Sequence, residues 1–124
     1  MSAQPQSLFL TPAAYLSIER QAVERREFVD GEMYAMAGAR EKHVSVVTNL
    51  VMLLGSQLRK RPCKVYSTDL RVKVSAKGDY TYPDVIIVCD KPQLEDEHED
   101  SLLNPTVIIE VLSPTTEKYD CGEK

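Results

Sequence analysis

Two acidic residues occur at apolar runs of strand length, where a purely structural sequence would not place them. Glu110 lies inside the run VIIEVL, and Asp84 opens the run DVIIV directly after Pro83. Burying an unpaired carboxylate costs several kcal/mol or forces its protonation. A carboxylate in a core strand therefore normally has a cation, a metal ion or several hydrogen-bond donors beside it.

An antiparallel pairing of the two strands would bring these carboxylates together. Side chains alternate between the faces of a strand, so a register that opposes Asp84 to Glu110 also opposes Val88 to Thr106. Two carboxylates at such a distance repel each other, and a hard divalent cation is the usual remedy. Mg²⁺ (or Mn²⁺) is the natural candidate, because it accepts one or two carboxylates and leaves positions free for a phosphate oxygen.

Sequence spacing alone does not exclude a purely structural role for the same two residues. Asp84 could merely end a turn after Pro83, and Glu110 could pair with Arg71 or Lys73 on a neighbouring strand. A Pro-Asp pair followed by a distant Glu does not distinguish a metal site from an ion pair.

Two helices are among the elements that must position these residues. Thr11 and Pro12 have the character of an N-cap and a first helical residue, which predicts a short helix over about 12–22. A second helix is predicted over about 41–59 by an apolar stripe with steps of three and four residues: Val44, Val47, Val51, Leu54 and Leu58.

Strand patterns occupy most of the remaining chain. Residues 27–36 predict a strand, or a hairpin that turns at its Asp-Gly pair. Alternation of apolar and polar residues predicts one half-buried strand over 64–74, and the continuous run 85–88 predicts an interior strand. The run 107–112 predicts a last strand. The polar segment 91–105 is expected to be a solvated acidic loop rather than a metal cage, because it lacks the glycine spacing of an EF-hand loop.

Composition restricts the class of protein. The 124 residues carry 15 Lys and Arg against 19 Asp and Glu, a net charge of −4, so there is no overall basic field for nucleic acid or an acidic membrane. Three cysteines, Cys63, Cys89 and Cys121, suggest neither a disulfide framework nor a paired metal motif and are expected to be reduced. No apolar stretch is long enough to span a bilayer, and no signal peptide is apparent. We therefore expect a single cytoplasmic globular domain over 1–124, with no membrane partner.

The end of the sequence has the pattern of a helix that begins and then stops. Ser113-Pro114 is expected to break the last strand. Asp120 and Glu123 have the pattern of a capping box, and the sequence stops at Lys124, about one turn into the predicted helix. We expect the domain to be incomplete relative to a whole fold.

Three segments carry a resemblance to a known family: ERREFVDGEMYAMAGAREKH, TYPDVIIVCD and VIIEVLSPTTEKYDCGEK. From Tyr15 to Lys124 the chain resembles the Uma-two family of restriction endonucleases, a branch of the PD-(D/E)XK nuclease superfamily. The resemblance implies an α/β fold of the α+β type, with a restriction-endonuclease-like core of helices packed on a mainly antiparallel mixed sheet. The last helix and strand of that core would be missing here.

The resemblance also implies Mg²⁺-dependent hydrolysis of phosphodiester bonds. Asp84 matches the strand aspartate of the superfamily, and Glu110 matches its Asp/Glu position. The superfamily lysine would fall at Leu112, so this sequence departs from the pattern, and Lys124 of the following helix is the matching replacement. Such a replacement is physically reasonable, because only the position of the ammonium group matters.

Four further residues are accessory candidates. Glu27, Glu32 and His43 match recurrent family positions. His43 could be a partly exposed residue at a helix N-terminus, could contact a phosphate, or could support a metal ligand without binding the metal itself. Asp69 could be an extra metal ligand or could pair with Lys73.

The densest basic cluster suits DNA phosphates or, equally, a solvated helix end that complements the helix dipole. Its members are Arg59, Lys60, Arg61 and Lys64.

The leading hypothesis is a metal-dependent DNA endonuclease. The alternative is a non-catalytic, truncated remnant that binds DNA or protein. A homodimer or higher oligomer is compatible with either, since cutting both strands of a duplex takes two active sites.

Overall fold

The computed structural model of the chain describes residues 9–112. These residues form two α-helices and eight short strands. In chain order the elements are α1 (Pro12–Glu19), β1 (Arg26–Val29), β2 (Glu32–Ala35), α2 (Glu41–Gln57), β3 (Lys64–Ser67), β4 (Arg71–Lys73), β5 (Tyr80–Thr81), β6 (Val85–Val88), β7 (Ser101–Leu102) and β8 (Val107–Ile109).

The chain divides into two compact units drawn from interleaved stretches. The described residues of the first unit lie within Met1–Gly38, Arg71–Tyr82 and Gln93–Leu103, and those of the second within Ala39–Leu70, Pro83–Pro92 and Asn104–Lys124. The architecture is mixed α/β, with a five-stranded and a three-stranded sheet. The predicted fold class is confirmed.

The first unit is built on the five-stranded sheet in the order β2-β1-β5-β4-β7. Its pairs are antiparallel except for the parallel pair of β4 and β7. The first predicted helix forms as α1, because the Thr11 side chain accepts a hydrogen bond from the Ala14 amide at 3.1 Å. Tyr15 of α1 stacks on Phe28 with ring centroids 4.8 Å apart, and both are buried. This aromatic contact attaches the helix to the sheet.

The hairpin at the Asp-Gly pair is confirmed. Asp30 and Gly31 have φ angles of 52° and 82°, as both central residues of a type I′ turn require. Val29 and Glu32 face each other across this turn as the first pair of the β1 and β2 ladder.

The second unit is built on the antiparallel sheet β3-β6-β8, against which α2 packs through β3 and β6. All four residues of β6 are buried, so the predicted interior strand is confirmed. The predicted second helix is confirmed as α2, although Val44 of its stripe is half exposed.

Cys63 and Cys89 form a disulfide between the start of β3 and the end of β6. The expectation of reduced thiols is therefore wrong for these two residues.

The single strand predicted over 64–74 is wrong. The chain forms β3, turns at Thr68 and Asp69, and continues as β4, which belongs to the other sheet and the other unit. The apolar alternation runs through the turn without a break, and period alone cannot separate two successive strands from one.

The acidic segment 91–105 is more ordered than a solvated loop. It contains β7, which pairs with β4, and three of its carboxylates are engaged by cations within the first unit. Arg20 donates to both oxygens of Asp100 at 2.8 and 2.9 Å, and Lys73 donates to Glu95 at 3.1 Å. The hydrogen bond from Arg20 lowers the pKa of the Asp100 carboxyl below its ordinary value. The ion pairs therefore hold this segment on the first unit.

No helix in the part of the chain that the structure describes is long and apolar enough to cross a membrane.

Candidate functional site

Asp84 and Glu110 occupy opposed positions at one end of the three-stranded sheet. In the antiparallel pair of β6 and β8, Val85 lies opposite Ile109 and Ile87 lies opposite Val107. Continued by one residue beyond both strands, this register sets Asp84 opposite Glu110, as predicted. Directly opposed residues share a face of the sheet, with Cβ atoms typically about 4.5–5.5 Å apart. Each residue lies one position beyond its strand.

Asp84 is held at both carboxylate oxygens. Its Oδ1 atom lies 3.1 Å from Nε2 of His43, and its Oδ2 atom accepts a hydrogen bond of 2.8 Å from the amide of Val111. The side chain is only 19% exposed. The buried Pro83 and β6 fix the backbone on either side of Asp84. Its carboxylate is therefore preorganised rather than free to rotate in solvent.

His43 reaches Asp84 because of its place on α2. It lies in the first turn of the helix and precedes the buried Val47 by four residues, so both point toward the sheet. The imidazole is 18% exposed. In the sequence, the four-residue spacing from His43 to Val47 indicates that His43 faces the sheet. The spacing does not indicate that Asp84 is the partner of His43. The structure places His43 both in the first turn of α2 and beside Asp84, and its role in the site stays a prediction.

Glu110 does not lie in a buried strand, and that expectation is wrong. It follows β8 and is exposed, as are Val107 and Ile108 within the strand. Among the described residues β8 pairs only with β6, so this sheet edge has a neighbour on one side only. A six-residue apolar run predicts a strand but not whether it is central or at an edge.

The cations proposed as structural partners of Glu110 are engaged elsewhere. Arg71 contacts Asp100 at 3.4 Å and Lys73 contacts Glu95 at 3.1 Å, all within the first unit. The two interpretations of Glu110, as a metal ligand and as an ion-pair partner, both stay predictions.

Asp69 lies at the same end of the second unit's sheet as Asp84. Ser67 of β3 is opposite Val85, and Asp69 follows two residues later in the exposed turn after β3. The alternative partner Lys73 contacts Glu95 instead. A role of Asp69 as an additional ligand stays a prediction.

The remaining acidic candidates and Lys124 stay predictions. Glu27 and Glu32 belong to the first unit, where Glu27 accepts a hydrogen bond from the Thr81 hydroxyl and Glu32 accepts one from the Tyr34 hydroxyl at 3.3 Å. Lys124 and the predicted capping box of 120–123 lie outside the described residues.

The basic cluster lies at the opposite end of the sheet from Asp84. Lys64 pairs with Val88, four residues along β6 from Asp84, a separation of about 13 Å at the usual rise of a strand. All four members are exposed: Arg59, Lys60, Arg61 and Lys64. The cluster is therefore too far away to share one phosphate with the carboxylates.

The donor set fits a hard divalent cation. Two opposed carboxylates supply oxygen ligands, and each Asp84 oxygen, although hydrogen-bonded, retains a second acceptor position. A cation between the carboxylates would also offset their repulsion.

A comparison with solved structures gives a match for the mixed α/β fold. The fold superposes on a crystal structure described as "a putative nuclease belonging to DUF820" from Anabaena variabilis, with a TM-score of 0.70. That match covers 92% of this chain and 64% of the other, at 18% sequence identity.

Residues 12–124 match the family model Uma2, described as "Putative restriction endonuclease", and the chain belongs to this family. The resemblance identified from the sequence is confirmed.

Two curated relatives come from Synechocystis sp. (strain ATCC 27184 / PCC 6803 / Kazusa). They are the uncharacterized proteins sll1609 and slr1290, each 35% identical over 115 residues. The match covers 93% of this chain, but only 65% and 60% of the two relatives. The chain thus spans somewhat less than two thirds of the length of these relatives.

Proposed function

We propose that this chain is the catalytic part of a metal-dependent endonuclease that hydrolyses phosphodiester bonds in DNA, with Mg²⁺ or Mn²⁺ as the cofactor. The observation that carries the proposal is the register of β6 and β8, which opposes Asp84 to Glu110 at one sheet end. Membership of a family described as restriction endonucleases supports the substrate class.

Asp84 and Glu110 would hold the cation, which when bound polarises the scissile phosphate and favours ionisation of an attacking water. The protein's part is to keep the two carboxylates in place. The Val111 amide and His43 fix the Asp84 carboxylate, so that little reorganisation is needed when a phosphate arrives.

DNA would be held by groups outside the carboxylate pair. The basic cluster, about 13 Å along β6, is at a distance that suits a phosphate further along the same backbone. Such contacts position the polynucleotide without reading its sequence. Lys124, which matches the displaced superfamily lysine, is proposed to stabilise charge that develops on the phosphate.

The test compares two aspartate-to-asparagine variants at opposite ends of β6. Asp84→Asn removes a proposed ligand but keeps an acceptor for the Val111 amide, whereas Asp90→Asn changes an exposed residue just beyond the other end. Two quantities are measured: the affinity for Mn²⁺, by calorimetry, and the rate of Mg²⁺-dependent nicking of supercoiled plasmid. We expect both to fall by at least about 100-fold in Asp84→Asn, because even mutation of a residue that only supports a metal ligand costs about 10–100-fold. Asp90→Asn should match the wild type.

Two results would contradict the proposal. Equal Mn²⁺ affinity in wild type and Asp84→Asn would exclude a metal site at Asp84. Saturable metal binding without any plasmid nicking by the wild type would instead favour a non-catalytic DNA- or protein-binding module.

A further inference from the structure

Cys63 and Cys89 are placed for disulfide exchange by the register of the strands that they flank. Lys64 pairs with Val88, so one residue further along the ladder Cys63 lies opposite Cys89, and the two sulfurs are bonded. Both residues are only partly buried. Partial burial leaves part of each residue open to a small thiol or disulfide, and exchange requires such access.

The two cysteines have different electrostatic surroundings. Cys63 follows Arg61 closely and is followed by Lys64, and these cations are exposed members of the basic cluster. Neighbouring positive charges stabilise a thiolate, which is the nucleophilic form. Cys89 is followed by the exposed Asp90, which does not give that stabilisation. On the sign of these neighbouring charges, Cys63 is assigned as the attacking group of the pair.

We propose that Cys63 and Cys89 form a reversible thiol–disulfide exchange site whose co-substrate is a low-molecular-weight disulfide of the glutathione class. In oxidation the Cys63 thiolate attacks the external disulfide, forms a mixed disulfide and releases one external thiol. Cys89, as its thiolate, then attacks the Cys63 sulfur and expels the second external thiol. Two protein thiols are oxidised, one external disulfide is reduced to two thiols, and the two protons pass to those thiols.

The exchange would control how firmly the basic cluster is attached to the sheet. The turn between α2 and β3 carries Arg59, Lys60 and Arg61, and the disulfide fixes the end of this turn to β6. The bond closes a loop with a sequence separation of 26 residues. On the chain-entropy account, a loop of this size raises the melting temperature of the oxidised form by roughly 10 °C.

The experiment measures the number of free thiols in the folded wild-type chain. The protein is equilibrated in buffers of reduced and oxidised glutathione, the free thiols are alkylated with iodoacetamide, and the intact mass and tryptic peptides are analysed. We expect one alkylated cysteine, Cys121, in the oxidising buffer and three in the reducing buffer. The change should be reversible, with the circular dichroism of the folded protein retained in both buffers.

Variants separate the roles of the cysteines. Cys89→Ser should trap one glutathione on Cys63, because the second thiol that completes the exchange is absent. Cys121→Ser is the matched control and should leave both the exchange and the rise in melting temperature unchanged.

Three outcomes would overturn the inference. They are three alkylated cysteines in the oxidising buffer, a disulfide that includes Cys121, and a Cys63–Cys89 bond that glutathione cannot reduce while the chain stays folded. These measurements do not depend on nuclease activity, so the inference stands or fails separately from the proposed function.

Discussion

The Nε2 atom of His43 lies 3.1 Å from Oδ1 of Asp84, although 41 residues separate them in the chain. The contact joins the first turn of α2 to the residue before β6. Because Asp84 Oδ2 also accepts from the Val111 amide, groups from two other parts of the second unit fix this one carboxylate. His43 is therefore expected to act on Asp84 as a positioning residue.

Replacing His43 should lower nuclease activity without abolishing it. His43→Ala removes one of the two contacts that hold Asp84, and a loss of preorganisation worth about 1.4 kcal/mol is about tenfold in rate. His98→Ala, at an exposed histidine of the acidic segment, is the control and should have wild-type nicking rates. His43→Asn keeps a polar side chain and should recover part of the loss. Wild-type kinetics in His43→Ala would show that the Val111 amide alone positions the carboxylate.

Glu110→Gln should separate activity from stability. It removes one of the two proposed ligands, so metal-dependent nicking should fall at least as far as in Asp84→Asn. Because Glu110 is exposed and lies opposite a second carboxylate, its neutralisation should leave the unfolding free energy within about 0.5 kcal/mol of the wild type or raise it slightly. Thermal melts in EDTA, beside the exposed Glu97→Gln as control, measure this. A large loss of stability would assign Glu110 a structural ion pair instead.

Acid should destabilise the first unit through Asp100. The Arg20 hydrogen bond lowers the pKa of Asp100 in the folded chain, so its contribution is present above the ordinary value of about 4 and is lost as pH falls through the lower folded value. Asp100→Asn should cost about 1–2 kcal/mol near neutral pH, discounted because the side chain is 33% exposed.

The difference between wild type and Asp100→Asn should shrink as pH falls below about 4, because the Asp100 carboxyl of the unfolded chain takes up a proton there, whereas that of the folded chain does so only at lower pH. Urea unfolding at a series of pH values measures it. Asp90→Asn is the control and should follow the wild type. A constant difference at every pH would mean that Asp100 acts through packing rather than charge.

Two glycine substitutions should have opposite signs. Gly31→Ala places a side chain at φ 82°, and its Cβ would meet Phe9 Cδ1 at 2.7 Å, so we expect a loss of roughly 1–2 kcal/mol. Gly55→Ala in α2 meets no atom of the described residues within 4 Å and should stabilise by about 0.5–1 kcal/mol. Denaturant midpoints of the two variants measure both effects. A stabilising Gly31→Ala would mean that the hairpin turn is not type I′ in solution.

Local patterns in the sequence were sufficient for the elements whose causes are local. The Asp30-Gly31 turn follows from the φ angles that these two residues tolerate, and α2 follows from a stripe that steps by three and four residues. The opposition of Asp84 to Glu110 is one of the registers that an antiparallel pairing allows, because side chains alternate along both strands; the sequence indicated it but did not select it.

Only the tertiary structure decided features that depend on residues far apart in the chain. The split of 64–74 into β3 and β4 reflects pairing with different sheets, and the exposure of Glu110 reflects the edge position of β8. The contacts of His43 with Asp84 and of Arg20 with Asp100 span 41 and 80 residues. No local period encodes such pairs, because the free energy that selects them comes from packing and charge pairing in the folded chain rather than from the conformational preferences of neighbouring residues.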